Sequence, residues 1–278
     1  MQSLELESPS KLNLMLHITG RRDDGYHLLQ TVFQLIDLSD RMKFEVTRDA
    51  EICRANSNTP VAEADDISLR AAQLLQSRYQ VNQGVRISID KRIPVGGGLG
   101  GGSSNAATTL LALNKLWQLG LDKLELGRLG LELGADVPVF VAGKSAWATG
   151  IGEQLEPLEL PESWFLVIQP EISVSTAEIF SAEELTRNCD AITIRAFLEG
   201  ESRNVCEPVA RRLYPEIGKA IDWLGQYASA KMTGTGACIF ASFGSLEQAE
   251  SVKSLAPENW RTFVTRAINE SNLVSLCE

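Results

Sequence analysis

The chain is poor in the residues that support the commonest metal and nucleophile chemistries. Histidine occurs only at His17 and His27. No H-E-x-x-H zinc helix is possible, and a Ser-His-Asp triad would have to rest on one of these two imidazoles. The five cysteines, Cys53, Cys189, Cys206, Cys238 and Cys277, are odd in number and widely spaced, with no C-x-x-C pair. That pattern argues against a disulfide framework or structural zinc and for reduced thiols in the cytoplasm. Positive charge is short as well: 26 Lys and Arg against 36 Asp and Glu give a net charge of −10. Such a balance argues against generic binding to nucleic acid or anionic membrane. No apolar run approaches the ~18 residues of a membrane span. The N-terminal Met-Gln-Ser-Leu-Glu-Leu-Glu has acids and no apolar stretch, unlike a signal peptide.

What is present is an ordinary globular mixture, 44% hydrophobic and 22% charged. At about 150 residues per domain, its length fits one large domain or two small ones. The 22 glycines are ordinary in number but not in distribution, since six of them fall within residues 96–102.

Leu12, Leu14, Leu16 and Ile18 alternate as in a half-buried strand, which sets Lys11, Asn13, Met15 and His17 on its other face. Asp24-Gly25 predicts a hairpin turn. Strands are predicted over 31–38, 42–47, 84–90, 145–149, 164–169, 238–243 and 261–267. Asp66 predicts a cap for a helix over 67–79. Further helices are predicted over 106–117, 122–133, 176–186, 205–212 and 215–228. Residues 156–162 read as a linker, so the chain divides into two lobes joined near 150–160.

Four constellations could carry chemistry. The run Val95-Gly96-Gly97-Gly98-Leu99-Gly100-Gly101-Gly102-Ser103-Ser104 lies between a strand and a helix. Backbone N–H groups unobstructed by side chains at a helix N-terminus form an anion site, favouring a diphosphate or triphosphate. No lysine follows as a Walker A loop requires. A dinucleotide fold would want an acid at the end of the next strand; Asp122 has the spacing but follows a helix. Second, Asp136 in Gly134-Ala135-Asp136-Val137-Pro138 reads equally as a general base or as the N-cap of a short helix. Third, Lys11 and Asn13 read by themselves as a solvated strand face. Tyr26 and His27 fit a base-binding pair or a turn-and-core pair alike. Fourth, Thr233-Gly234-Thr235-Gly236-Ala237 reads as a loop or as a backbone surface close to a ligand.

Taken together, Pro9-Ser10-Lys11-Leu12-Asn13, the loop from Pro94 to Ser104 and Thr233-Gly234-Thr235-Gly236-Ala237 resemble the three ordered motifs of the GHMP kinase superfamily. The likeness is closest to the branch that phosphorylates 4-diphosphocytidyl-2-C-methyl-D-erythritol. Residues 8–14, 19–27 and 134–140 carry it together with the glycine loop, and it extends over essentially the whole chain. The resemblance implies an α+β, two-lobed fold: an N-terminal β-rich nucleotide-binding lobe (1–152) and a C-terminal α/β lobe (153–278). It implies ATP-dependent phosphorylation of the substrate's 2-hydroxyl in the methylerythritol phosphate route to isoprenoid precursors. It puts Asp136 at the catalytic-base position and Lys11 at the catalytic-lysine position. Pro94, Val95, Gly96, Gly97, Gly98, Leu99, Gly100, Gly101, Gly102, Ser103 and Ser104 become the ATP phosphate loop. Asn13, Tyr26, His27, Thr176 and Phe180 fall where the family holds the cytidine and methylerythritol parts of the substrate. Mg²⁺ is expected with ATP, without an assigned carboxylate ligand. The chain departs from its relatives at Asp66-Ile67, where they often carry Asn-Leu-Ile. Another small-alcohol kinase of the superfamily is the alternative; a catalytically silent nucleotide binder would not need Lys11 and Asp136 together.

Overall fold

The computed structural model describes residues 2–55 and 61–277. The chain begins with a long antiparallel hairpin, β1 (Ser3–Arg21) and β2 (His27–Thr47). Asp24-Gly25 sits in its turn, where the Gly25 N–H donates to the Arg22 carbonyl at 3.0 Å. The Leu12–Ile18 alternation is one stretch of a much longer strand. A bulge between Asn13 and Met15 re-aims the chain beside the site described below.

β2 is continuous where two strands, 31–38 and 42–47, are predicted. The strand runs through Asp37-Leu38-Ser39-Asp40, where both acids are satisfied in place. Asp37 accepts from the Thr265 hydroxyl at 2.6 Å and the Arg266 N–H at 2.8 Å. The fully buried Asp40 accepts from the Lys91 ammonium and from the Arg92 and Ile93 N–H groups, each at 2.8 Å.

The first half continues with β3 (Ile52–Arg54), α1 (Ile67–Arg78), β4 (Gly84–Asp90), α2 (Gly101–Leu116), α3 (Lys123–Leu133), α4 (Val137–Ala142), β5 (Ala146–Thr149) and β6 (Gln154–Pro157). The second half holds β7 (Trp164–Gln169), α5 (Thr176–Ser181), α6 (Ile194–Leu198), α7 (Glu207–Leu213), α8 (Pro215–Leu224), β8 (Lys231–Met232), β9 (Ile239–Phe243), α9 (Leu246–Lys253) and β10 (Arg261–Ile268). The mixture of helices and sheet is the α+β architecture expected. The strands join in the order β3-β4-β2-β10-β7-β9-β8, with β1 beside β2 and the β5–β6 pair attached to β2. The β3–β4 pairing is parallel and the others are antiparallel.

Apolar side chains gather in two main cores. One lies around α2, whose residues are buried on nearly every face, and takes in Phe44, Leu75, Ile87 and Phe140. The other packs α7 and α8 against β7 and β9 through Leu166, Val209, Ile217 and Ile239. Leu16 and Ile18 of β1 enter the second core, and Leu273 near the C-terminus returns to the first. We propose a boundary between the lobes at 152/153 that these two segments cross.

Some expected boundaries move. α2 begins at Gly101, inside the glycine run, rather than at Ala106. Only the first two residues of the expected linker, Glu156 and Pro157, are strand, because Gln154–Pro157 pairs with β5. α5 ends at Ser181 instead of 186, because the Arg187 guanidinium takes the carbonyls of Phe180, Ala182 and Leu185 at 2.9, 2.7 and 3.2 Å. The short elements β3, α6 and β8, and the helix α9, are not predicted. Among the described residues no helix is long and apolar enough to cross a membrane.

His17 is buried in β1, and neither ring nitrogen has a hydrogen-bond partner. Burial lowers its pKa below the usual value, and nearby Arg203 adds to the shift against an opposing contribution from Glu201. The unfolded chain therefore binds a proton near pH 6.5 that the folded chain refuses. This contribution to stability is complete above that pH and is lost as the pH falls toward the lowered folded-state pKa. Melting temperature is expected to fall more steeply between pH 7.5 and pH 5 in the wild type than in His17→Gln. Parallel profiles would contradict this assignment.

Candidate active site

The predicted solvated face of β1 is not solvated. Lys11 is 3% exposed and Asn13 4%, because the glycine loop and the Thr233–Ala237 turn cover them. A buried ammonium needs partners for its N–H groups. Lys11 Nζ donates to Asn13 Oδ1 at 2.6 Å and to the Gly98 carbonyl at 3.0 Å, and lies 3.2 Å from Asp136 Oδ2. The Phe33 ring centroid is 5.4 Å away. Asn13 is held in turn by Thr31 through its amide nitrogen at 2.9 Å and by Thr233 Oγ1 through its backbone N–H at 2.9 Å.

Asp136 precedes α4, at the cap position that its sequence equally predicts. Yet its side chain makes no capping hydrogen bond. The carboxylate turns to Lys11 instead and keeps 35% of its surface open. The geometry thus separates the two readings: a cap by backbone position, and a carboxylate free for chemistry.

The glycine loop runs from Pro94 into the first turn of α2. The first helical bond there is Ser104 N–H to the Gly100 carbonyl at 2.8 Å, so the N–H groups of Gly101, Gly102 and Ser103 have no partner within the helix. Two glycines are required on steric grounds. At Gly98, φ is +73° and a β-carbon would lie 2.5 Å from the Thr233 carbonyl oxygen. At Gly100, φ is also +73° and a β-carbon would lie 2.9 Å from the Phe140 ring. Hydrogen bonds from Ala237 and Cys238 N–H to the Gly96 and Gly97 carbonyls, at 3.3 and 3.1 Å, hold the loop against the Thr233–Ala237 turn. That turn is therefore a wall of the loop, one of the two readings its sequence allows. Residues Pro94 to Ser103 line a cleft of about 330 Å³ with Asp66, Ile67 and Lys91. Ser104 is the exception: its hydroxyl is fully buried and shares a 2.7 Å hydrogen bond with Ser8, away from the cleft. At the substituted position Asp66, one carboxylate oxygen caps α1 through Ser68 N–H at 2.9 Å. The other accepts from Arg54 at 3.3 Å.

A second cavity, of about 570 Å³, is lined by Tyr26, His27, Phe180, Ile151 and Ala135. His27 and Phe180 stack with centroids 5.1 Å apart and an interplanar angle of 20°, and Tyr26 is 59% exposed at the rim. Burial lowers the His27 pKa, with Arg187 and Arg21 adding to the shift, so the ring is neutral at pH 7. Thr176 does not line this cavity; its hydroxyl pairs with Thr235 at 2.9 Å. The two cavities flank the Lys11–Asp136 pair. Gly98, bonded to Lys11, belongs to the first, and Ala135, next to Asp136, belongs to the second.

Sequence reasoning missed two side chains of this region, Lys91 and Arg187, and read Thr233 without a role for its side chain. Lys91 lines the nucleotide-sized cleft and is held by the buried Asp40; its place directly before the loop was the available signal. Thr233 joins the loop to Asn13 and was legible only as part of a motif. Arg187 bonds the stacked His27 and carries no sequence signal at all.

Residues 66–144 match the GHMP kinases N terminal domain, and residues 182–262 match the GHMP kinases C terminal domain. A 4-diphosphocytidyl-2-C-methyl-D-erythritol kinase of Nitrosococcus oceani is 53% identical over 271 residues, covering 98% of this chain and 97% of that protein. Its counterpart in Pseudomonas aeruginosa is 51% identical over 270 residues, covering 97% and 96%. A crystal structure of 4-(cytidine 5'-diphospho)-2C-methyl-D-erythritol kinase superposes with a TM-score of 0.84 at 32% identity, covering 95% of this chain and 99% of that one.

Proposed function

Since the chain belongs to the GHMP kinases, alongside the 4-diphosphocytidyl-2-C-methyl-D-erythritol kinases, we propose that Lys11 and Asp136 carry out the phosphoryl transfer of that family. The protein uses ATP to phosphorylate the 2-hydroxyl of 4-diphosphocytidyl-2-C-methyl-D-erythritol, a step of the methylerythritol phosphate pathway to isoprenoid precursors. The observation that carries the residue assignment is the 3.2 Å Lys11–Asp136 contact between the two cavities.

The first cavity takes ATP. Its phosphates meet the partner-free N–H groups at the start of α2, where the helix dipole also favours negative charge. The second cavity takes the diphosphocytidyl substrate, with the pyrimidine among Tyr26, His27 and Phe180. Asn13 and Thr176 serve this end of the site by holding Lys11 and the Thr235 turn, respectively. The 2-hydroxyl oxygen attacks the γ-phosphorus, its proton passes to an Asp136 oxygen, and the bond to the bridging oxygen breaks to release ADP. Lys11 fixes the Asp136 carboxylate and offsets the charge that develops beside it. Positioning and electrostatics supply most of the rate, as phosphoryl transfer in general requires.

Mg²⁺ accompanies ATP in this reading. Mg²⁺ prefers few carboxylates plus phosphate oxygens and water, and the described residues offer no cluster of three His, Cys, Asp or Glu side chains. Ser103, on the lining of the first cavity, would offer a hydroxyl oxygen, and phosphate and water would supply the rest of the coordination. An ion held there would supply neutralisation of the phosphate charge. We assign the protein to the cytoplasm, which the free thiols of Cys53, Cys189, Cys206 and Cys238 support.

The test is an ADP-release assay with ATP-Mg²⁺ and a panel of alcohols. The diphosphocytidyl substrate is expected to be turned over at least ~10³ times more efficiently than mevalonate or homoserine, whose lack of a pyrimidine leaves the second cavity unfilled. Equal turnover of mevalonate would favour the other small-alcohol kinase reading.

A further inference from the structure

Arg187 lies in the irregular segment between α5 and α6, outside the lining of the second cavity. It ties that cavity's two stacked rings together from behind. Its Nη1 donates to the Leu185 carbonyl at 3.2 Å, and its Nη2 donates to the Phe180 and Ala182 carbonyls at 2.9 and 2.7 Å. Its Nε donates to His27 Nε2 at 3.3 Å. A guanidinium has donors only, so His27 Nε2 must be the acceptor. A neutral imidazole carries one proton, which is then on Nδ1. No described residue hydrogen-bonds Nδ1.

We propose that Arg187 is a positioning residue for substrate recognition: it fixes His27 as the Nδ1–H tautomer, a hydrogen-bond donor matched to an acceptor edge such as that of cytosine. The inference rests on the reading that the pyrimidine enters the His27–Phe180 cavity. Cytosine offers N3 and O2 as acceptors, so the ring must arrive with a proton on the free nitrogen. Without Arg187, His27 is released to the Nε2–H form that imidazole favours in water, and its free nitrogen becomes an acceptor facing acceptors. Partial burial and the adjacent guanidiniums lower the His27 pKa, which favours the neutral ring in which the tautomer has meaning.

The chain suits a direct spectroscopic test, because His17 and His27 are its only histidines. Long-range ¹H–¹⁵N correlation of the labelled full-length protein at neutral pH reads each tautomer. Wild-type His27 is expected as Nδ1–H and Arg187→Met as mainly Nε2–H. Arg187→Lys, which keeps a donor, is expected to restore part of the Nδ1–H form. In parallel, Arg187→Met is expected to raise KM for the diphosphocytidyl substrate about tenfold, the scale of one hydrogen bond to a charged or buried partner. The kcat should stay within about threefold and KM for ATP near wild type, while the melting curve shifts down by a few degrees because three part-buried carbonyls lose their donor. A structural role alone would not move the tautomer or split the two KM values. An Nε2–H signal in the wild type would overturn the proposal. So would an unchanged tautomer in Arg187→Met, or an unchanged substrate KM in that variant when His27→Ala raises it. His27→Ala with a wild-type KM would instead overturn the pyrimidine reading itself, and the recognition role of Arg187 with it.

Discussion

Asparagine in place of Asp136 is expected to lower kcat for the diphosphocytidyl substrate by about 10² to 10⁴, the range for loss of a positioned general base. That corresponds to roughly 2.7 to 5.4 kcal/mol of transition-state stabilisation. The substitution preserves shape and removes the proton acceptor. It costs no helix cap, because the Asp136 side chain makes no capping bond. The carboxylate is about one-third exposed, but its partner Lys11 is buried and loses its counter-charge, so the melting temperature is expected to fall by a few degrees. KM for ATP should also change by less than about threefold, since the N–H groups of α2 are untouched. Steady-state kinetics with each substrate varied in turn makes the check. A kcat near wild type would remove Asp136 from the chemistry and leave it as a backbone cap.

Alanine at Gly98 is expected to damage stability and nucleotide binding together. A left-handed backbone costs an L-residue about 1–2 kcal/mol. The added methyl would sit 2.5 Å from the Thr233 carbonyl oxygen. That oxygen belongs to a backbone already fastened to the loop and cannot swing aside, and such overpacking costs about 1–3 kcal/mol more. The sum of about 2–5 kcal/mol corresponds to a fall of roughly 5–15 °C in melting temperature for a chain of this size. The Gly98 carbonyl also holds Lys11 at 3.0 Å, so the shift reaches the proposed catalytic pair. Both kcat and KM for ATP should worsen, unlike the Asp136→Asn pattern. Alanine at Gly120 is the control. It shares a positive φ of +68° but meets nothing within 4 Å, so it should cost only the backbone part. Equal losses at the two positions would show that the close approach to Thr233 is irrelevant.

The legible parts of the chain were those with a local physical signal. The glycine run announced its anion site because so many consecutive N–H groups without side chains before a helix have few other uses. The hairpin turn at Asp24-Gly25, the Asp66 cap of α1 and the Val85-Ile87-Ile89 strand were likewise written in adjacent residues. Long-range pairing was not. Lys11 looked like a solvated strand residue because nothing in residues 9–14 reports that residues 98 and 233 fold over it. Its role came from resemblance to a family, and its burial came only from the structure. Asp40 fell between two predicted strands, and nothing near it reports that its three donors lie about fifty residues downstream at Lys91, Arg92 and Ile93. Ser104 was grouped with Ser103 by adjacency, yet successive helical residues face different ways. One serine lines the cleft and the other meets Ser8.

The acidic balance of the chain acquires a meaning here. A protein of net charge −10 that binds two polyphosphates gains nothing from long-range attraction. The attraction is local, in the α2 N-terminus, Lys11 and Lys91. In the proposed mechanism Lys11 and Asp136 act as one unit between the two cavities, and a double-substitution cycle tests this most directly. Lys11→Met, Asp136→Asn and the combined variant are compared in kcat under saturating ATP-Mg²⁺ and diphosphocytidyl substrate. Groups that act as a unit give strongly non-additive losses. The combined variant is expected within about threefold of the slower single variant. A combined loss equal to the product of the two single losses would mean that the residues act independently, and would contradict the paired mechanism.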